Sequence, residues 1–258
     1  MSSGRSFEEL VGEAETAPID GWDFTWLEGR ATEARPPWGY ARSLVTRIED
    51  SSSLLDVQTG GAEVLCEALG RARRRPMTIS ATDAWPPNVA IARRNLAPLD
   101  GGVFEVANDA DLPFASASFD LVTARHPVVV RWDEIGRVLA SGGTYFAQHV
   151  GPGSNRELTN FVMGPQAVST ARSGARAVSE ASAAGLHLVD IQQASLRVAF
   201  GDIGAVVYFL RKVPWTVPAF SVAAYRDRLR ALHDHIVSEG QFVSHSTRFL
   251  IELQKPER

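Results

Sequence analysis

The segment Leu54-Leu55-Asp56-Val57-Gln58-Thr59-Gly60-Gly61-Ala62-Glu63-Val64-Leu65 constrains the fold more than any other. An apolar run ends in an acid, a short glycine-bearing turn follows, and a helical pattern begins. Glycine lets a backbone turn tightly and pass close to a ligand. A strand, such a turn and a helix leave a crevice at the carboxyl end of a parallel strand, where open α/β sheets bind their ligands.

The layout repeats. Residues 77–83 read as a β-rich segment ending in Asp83, and Pro86-Pro87 opens a helical stretch over 88–96. Proline suits a first helical turn because its missing N–H would be unpaired there. Val89, Ala92 and Leu96 share one helix face. Asp83 then stands at the tip of a second strand beside the first, where a carboxylate can accept hydrogen bonds from both hydroxyls of a ribose. Residues 103–107 form a third strand with Asn108-Asp109-Ala110 at its end, and 118–123 a fourth. Trp132, Ile135, Val138 and Leu139 make a helix face that Ser141-Gly142-Gly143 closes, glycine being the usual left-handed cap. Residues 144–150, 186–200 and 241–252 are the fifth to seventh strands. Further helices are expected over 156–164, opened by a Ser154-x-x-Glu157 capping box, over 171–184, and over 222–239, stopped by Gly240. The fold class is α/β: a seven-stranded, mostly parallel sheet with helices on both faces.

The pieces LLDVQTGGAEVL, ATDAWPPNVAIARRNL, NDADLPFASASFDLV and WDEIGRVLASGGTYFAQ occur in this order over about residues 50–150. Together they resemble the class I S-adenosylmethionine (SAM)-dependent methyltransferases, a Rossmann-like family. The order argues against a nicotinamide enzyme, since LPF…SFDLV and RVLASGG have no task in the dinucleotide fingerprint. The resemblance implies SAM (S-adenosyl-L-methionine) as cofactor, held by Asp56, Gln58, Thr59, Gly60, Asp83, Ala84, Asp109, Ala110 and Arg125. It implies direct methyl transfer to an acceptor, with the protein chiefly positioning the two reactants. His126 follows the fourth strand, in the loop that faces the methyl group in this fold. It is the candidate general base, with His149 second; a polar loop contact is the competing reading. The family writes the loop as G-x-G-x-G, whereas here Gln58 and Ala62 replace the first and third glycines. Gln58 either points away, hydrogen-bonds a ligand, or weakens cofactor binding.

Hydrophobic content of 45% and charged content of 22% are ordinary for a globular chain, and 258 residues can bury a full core. The net charge is -4, and the first fifty residues, with ten acids and five arginines, hold the acidic excess. Nucleic-acid binders usually show a basic face. The best candidate, Arg71-Ala72-Arg73-Arg74-Arg75, follows the first helix at the end of the sheet away from the crevice and reads as a solvated loop. A small-molecule acceptor is therefore expected, not nucleic acid. The apolar run 205–210 is too short to span a bilayer, and the N-terminus does not read as a signal peptide. The lone Cys66 excludes an internal disulfide and fits a reducing compartment, so the chain is expected to be cytoplasmic, without a membrane partner. No metal is expected: His233 and His235, two apart on a helix, cannot chelate one ion.

Residues 1–50 read as an acidic segment and helical cap, with Trp22, Phe24, Trp26, Trp38 and Tyr40 over the crevice and Trp38 and Tyr40 as a lid; core packing competes for Leu44, Val45 and Ile48. Residues 51–258 read as the SAM-binding domain, with an insertion over about 151–185 placed for substrate contacts. Trp215 and Phe220 are candidates for an acceptor pocket or for core. Two other functions stay open: an RNA or protein methyltransferase, which needs a basic face, and a non-catalytic SAM or metabolite binder, motivated by Gln58. Oligomeric state is not legible.

Overall fold

The computed structural model describes residues 4–19 and 24–257; Trp22 lies outside them. In chain order the elements are α1 (Phe7–Thr16), β1 (Ala31–Glu33), α2 (Tyr40–Asp50), β2 (Ser53–Val57), α3 (Glu63–Arg71), β3 (Thr78–Asp83), α4 (Pro86–Leu96), β4 (Gly102–Glu105), β5 (Phe119–Arg125), α5 (Trp132–Val138), β6 (Leu139–Val150), α6 (Arg156–Met163), α7 (Gly174–Ala183), β7 (His187–Phe200), α8 (Ile203–Lys212), α9 (Val222–Glu239) and β8 (Phe242–Gln254). The sheet has eight strands in the order β1-β7-β8-β6-β5-β2-β3-β4. The pairs β2–β3, β2–β5, β3–β4 and β5–β6 are parallel. The pairs β6–β8 and β1–β7 are antiparallel. The α/β class holds, with one strand more than the seven expected. The addition is β1, whose three residues are too few to show alternation.

The chain forms two compact units. The larger comprises residues 36–151, 170–194 and 248–258, the smaller 1–35, 152–169 and 195–247. In the larger unit the strand order reverses between β2 and β5, which opens a crevice at their carboxyl ends. Successive strand residues face opposite sides, so Leu54 packs with Leu44, Ile48, Leu65 and Leu96 while Leu55 packs with Val122, Ile135, Val138 and Phe249. Helix α2 is thus a core helix. Tyr40 is buried, stacked on Phe146 with ring centroids 5.4 Å apart, and its hydroxyl donates to the Ala124 carbonyl at 3.3 Å. These contacts place Tyr40 in the core and not in a lid.

In the smaller unit α1 buries Phe7, Leu10, Val11 and Ala14 in a cluster with α8 and with Leu229, Leu232 and Ile236 of α9. Ser6 and Glu9 cap α1 reciprocally. The apolar run 205–210 lies in α8, capped by Asp202, whose carboxylate also takes two 2.9 Å bonds from Arg30.

Two expected caps are replaced. Ser141-Gly142-Gly143 lies inside β6, and α5 ends instead under the Lys255 ammonium, which donates to the carbonyls of Gly136 and Leu139 at 2.7 and 2.6 Å. A cation on the last carbonyls is favourable there. The Ser154–Glu157 capping box does not form. Asn155 caps α6 in the left-handed region, Ser154 Oγ accepts from Thr247 N–H, and the Glu157 carboxylate takes Ser244 Oγ, His245 N–H and His245 Nδ1. Donors from β8 outcompete the helix terminus for both side chains.

Candidate functional site

The crevice belongs to the larger unit and is built from the loops that follow β2, β3, β4 and β5. After β2 the backbone turns through left-handed conformations at Gln58 (φ 56), Gly60 (φ 65) and Ala62 (φ 63). Glycine adopts these freely, whereas other L-residues pay roughly 1–2 kcal/mol. The loop therefore keeps the path that glycines at positions 58 and 62 would follow, at the expense of local strain. At Gly61 a Cβ would meet Glu63 Oε1 and, at 2.8 Å, Ile91 Cγ2, so a side chain there would force both neighbours to shift.

Two carboxylates anchor this loop. Asp56 Oδ2 accepts from Thr59 Oγ1 and Oδ1 from Thr123 Oγ1, both at 2.6 Å. Burial pushes the Asp56 carboxyl up to about 6; the two hydroxyls and Arg125 oppose the rise. Asp83, at the tip of β3, is 7% exposed. Its Oδ2 accepts from Gly60 N–H at 2.9 Å, and its Oδ1 from Trp85 N–H at 3.0 Å and Asn88 Nδ2 at 3.2 Å. A carboxylate has about four lone-pair sites, so Asp83 fastens the glycine loop to the start of α4 and keeps an acceptor site in reserve. Ala84 follows it, half-buried.

After β4, Asp109 and Ala110 are exposed, and the Ala110 N–H is turned to the Ala107 carbonyl at 3.1 Å. Arg131 holds this loop through the Asp109 carbonyl at 2.5 Å and the Asp111 carboxylate at 3.1 Å. Arg131 was not among the expected site residues, and its sequence position before α5 carries no signal of the role.

Beyond β5, Arg125 is exposed and His126 sits at φ 60. His126 lies 2.7 Å from Gln148 Nε2 through its own Nε2, and Trp38 Nε1 lies 2.7 Å from Gln148 Oε1. An indole N–H can only donate, which fixes the Gln148 amide and makes His126 Nε2 the acceptor. Burial, then the Arg125 charge, holds the imidazole well below the usual histidine range. The expected base thus meets a ring that is neutral, with its acceptor nitrogen already engaged. His149, the second candidate, is buried against Phe249 and Tyr145.

Gln58 bridges the crevice. Its Nε2 donates to the Val129 carbonyl at 2.6 Å, and its Oε1 accepts from Val128 N–H at 2.7 Å. This clamp holds the loop after β5 against the glycine loop. The space left among Val57, Thr82, Val106, Leu112 and Val129 is about 20 Å³, room for about one water. The donor and acceptor set suits a nucleoside with an amino-acid tail: close glycine backbone, a carboxylate in reserve and an apolar wall. Admission of such a group requires the clamp to open.

Trp215, Phe220, His233 and His235 belong to the smaller unit. Trp215 is exposed, and Phe220 stacks on Tyr225. His233 packs edge-on to Phe7, and His235 lies near Phe161. In the arginine cluster, Arg71 pairs with Glu67, Arg73 N–H and Arg74 Nε bond to Glu49, and Arg75 Nε bonds to the Leu69 carbonyl.

A family model described as a methyltransferase domain matches residues 55–147. Comparison with curated protein sequences gives no match. Among solved structures the chain is similar to the YcgJ protein of Bacillus subtilis, with TM-score 0.59, 18% identity, and coverage of 85% of this chain and 99% of that one. It is also similar to a protein assigned as a methyltransferase in Bacillus halodurans, with TM-score 0.55, 14% identity and coverage of 83% and 98%. The [4+2]-cyclase SpnF is similar at TM-score 0.51 and 17% identity, with coverage of 97% and 93%. At these identities the structures establish the fold, and within it residues 55–147 are similar to a methyltransferase domain.

Proposed function

We propose that the larger unit binds SAM in the crevice at the ends of β2, β3 and β4 and that its methyl group passes to a small-molecule acceptor in the cytoplasm. The observation that carries this reading is Asp83. It lies at the tip of the strand beside the glycine loop, inside the matched domain, with an acceptor site in reserve for a ribose hydroxyl. Bound SAM supplies an electrophilic methyl on a sulfonium. The residues of the chain position it: Gly60 and Gly61 bring backbone close, Asp83 takes the ribose, and the Asp109–Ala110 loop, held by Arg131, faces the base. His126 acts as a positioning residue. Its acceptor nitrogen is taken by Gln148 Nε2, so the acceptor is held by proximity and not deprotonated there.

No helix among the described residues is long and apolar enough to cross a membrane. That agrees with an acceptor met in solution, and the single cysteine supports a reducing compartment.

Calorimetric titration with SAM and with its demethylated product tests the reading. The parent should bind both, and Asp83→Asn should bind SAM at least about tenfold more weakly, the loss of a charge-assisted hydrogen bond. A folded Asp83→Asn with parental affinity would remove Asp83 from the site. The fold is shared with a [4+2]-cyclase, so methyl transfer itself must be followed with labelled cofactor and not inferred from binding.

A further inference from the structure

The loop after β5 walls a second cavity in the larger unit, since Pro127 and Val130 line both it and the crevice. The cavity measures about 110 Å³ and is bounded by Trp132, His149, Arg172, Ser173, Glu180 and Phe249. A cavity of roughly 150 Å³ holds benzene in an engineered core, so this one takes a branched chain or most of a single ring.

His149 is 6% exposed. Its ring stacks on Phe249 at 4.6 Å and lies parallel to Trp132. Its Nε2 is 3.2 Å from the hydroxyl of Tyr145, a fully buried side chain. A buried hydroxyl proton needs an acceptor, and His149 Nε2 is the one within reach, so Tyr145 donates and the imidazole proton sits on Nδ1. Among the described residues Nδ1 has no hydrogen-bond partner. His149 therefore offers the cavity an N–H. Burial pushes its pKa down to about 3, so it donates as a neutral ring.

The remaining polar capacity has the same sense. Arg172 makes a single long bond, 3.5 Å, to the Val128 carbonyl. Ser173 accepts from Arg176 N–H as the cap of α7 and keeps its hydroxyl proton. The one acid, Glu180, is already engaged on both oxygens, by Arg176 at 2.7 Å and Trp132 Nε1 at 3.2 Å. What is left unpaired is a charge and donors, against apolar walls.

We infer that this cavity binds a small carboxylate with an apolar body, its carboxylate held by the Arg172 guanidinium and the Nδ1–H of His149. Identifying that carboxylate with the methyl acceptor rests on the proposed function; the binding does not. The test is a fluorine NMR titration with 4-fluorobenzoate in the absence of SAM, with neutral 4-fluorobenzamide as the shape control. The acid should bind saturably at millimolar concentrations and the amide at least about tenfold more weakly. Arg172→Gln, at an exposed side chain, should lower affinity for the acid at least about tenfold without changing Tm. His149→Phe keeps the aromatic stack and should weaken binding as well. Should His149→Phe not fold, Arg172→Gln decides alone. No saturable binding, equal binding of acid and amide, or parental affinity in Arg172→Gln overturns the inference. A separate SAM titration keeps the two readings apart: a protein that binds the acid but not SAM retains the cavity and loses methyl transfer, and the converse loses only the cavity.

Discussion

Asp56 is a carboxylate that the fold makes reluctant to ionise. Its pKa is about 6 against an ordinary value of 3.8, chiefly through burial. The folded protein then holds a proton that the unfolded chain releases near pH 4. For such a raised acid, stability is greatest below the unfolded value and falls as pH rises to the folded value. The size of the effect is about 3 kcal/mol for a separation of about two pH units. Asp56→Asn removes that slope while adding a constant offset from its altered bonds to Thr59 and Thr123. Denaturant unfolding from pH 4 to pH 7 should show the parent losing stability relative to the variant. Parallel curves would contradict a raised Asp56. At this scale the sequence shows Asp56 and Asp83 because each ends an apolar run before a turn. It does not show what became of His126. The Gln148 that occupies its acceptor nitrogen lies on β6, and the Trp38 that orients Gln148 lies in the turn before α2, both far along the chain.

Among the elements, strands and helices of ordinary length are legible from period and punctuation. The smallest and the most locally disguised are not. Helix α1 carries its signal openly, Ser6-x-x-Glu9 with Phe7, Leu10, Val11 and Ala14 on one face, yet by composition it reads only as part of an acidic segment. The end of α5 is set by Lys255 from beyond β8, a contact no local pattern contains. The Gln58 clamp has the same character. A glutamine in a glycine position is visible in the sequence, but its bonds to Val128 and Val129 depend on where the loop after β5 returns. Two hydrogen bonds of about 1 kcal/mol each hold that loop. If SAM enters only when they open, Gln58→Ala should raise SAM affinity by roughly tenfold. Alanine keeps the left-handed strain, so the change isolates the side chain. The amide of Val128, now without its acceptor, should exchange hydrogen faster. Faster exchange with weaker SAM binding would make Gln58 a ligand contact and not a latch.

For the molecule as a whole, the α/β class is legible, because the strand–loop–helix units β2–α3, β3–α4 and β5–α5 follow one another in sequence and admit few topologies. The reaction is less tightly bound to the fold, since one fold hosts many chemistries. Charge narrows the acceptor class. The net charge is -4, and in the smaller unit Arg226 and Arg230 both pair with Glu8. In the larger unit the arginines from 71 to 75 bond to their own surroundings. Nucleic-acid affinity comes mainly from cations that neutralise phosphates, and in this net-acidic chain Arg71, Arg226 and Arg230 already face carboxylates. Tritiated methyl from SAM, incubated with the protein and a cell extract, should therefore appear in the small-molecule fraction after size separation. Ribonuclease or protease treatment should leave that label unchanged. An Asp83→Asn control should lower it in step with SAM affinity, which separates enzyme-dependent transfer from chemical methylation. Label recovered in RNA or protein and released by the matching nuclease or protease would reverse the acceptor assignment. In that event the salt dependence of transfer would distinguish the two. A polyanionic acceptor should lose affinity steeply as salt rises, and a neutral or zwitterionic protein surface should lose much less.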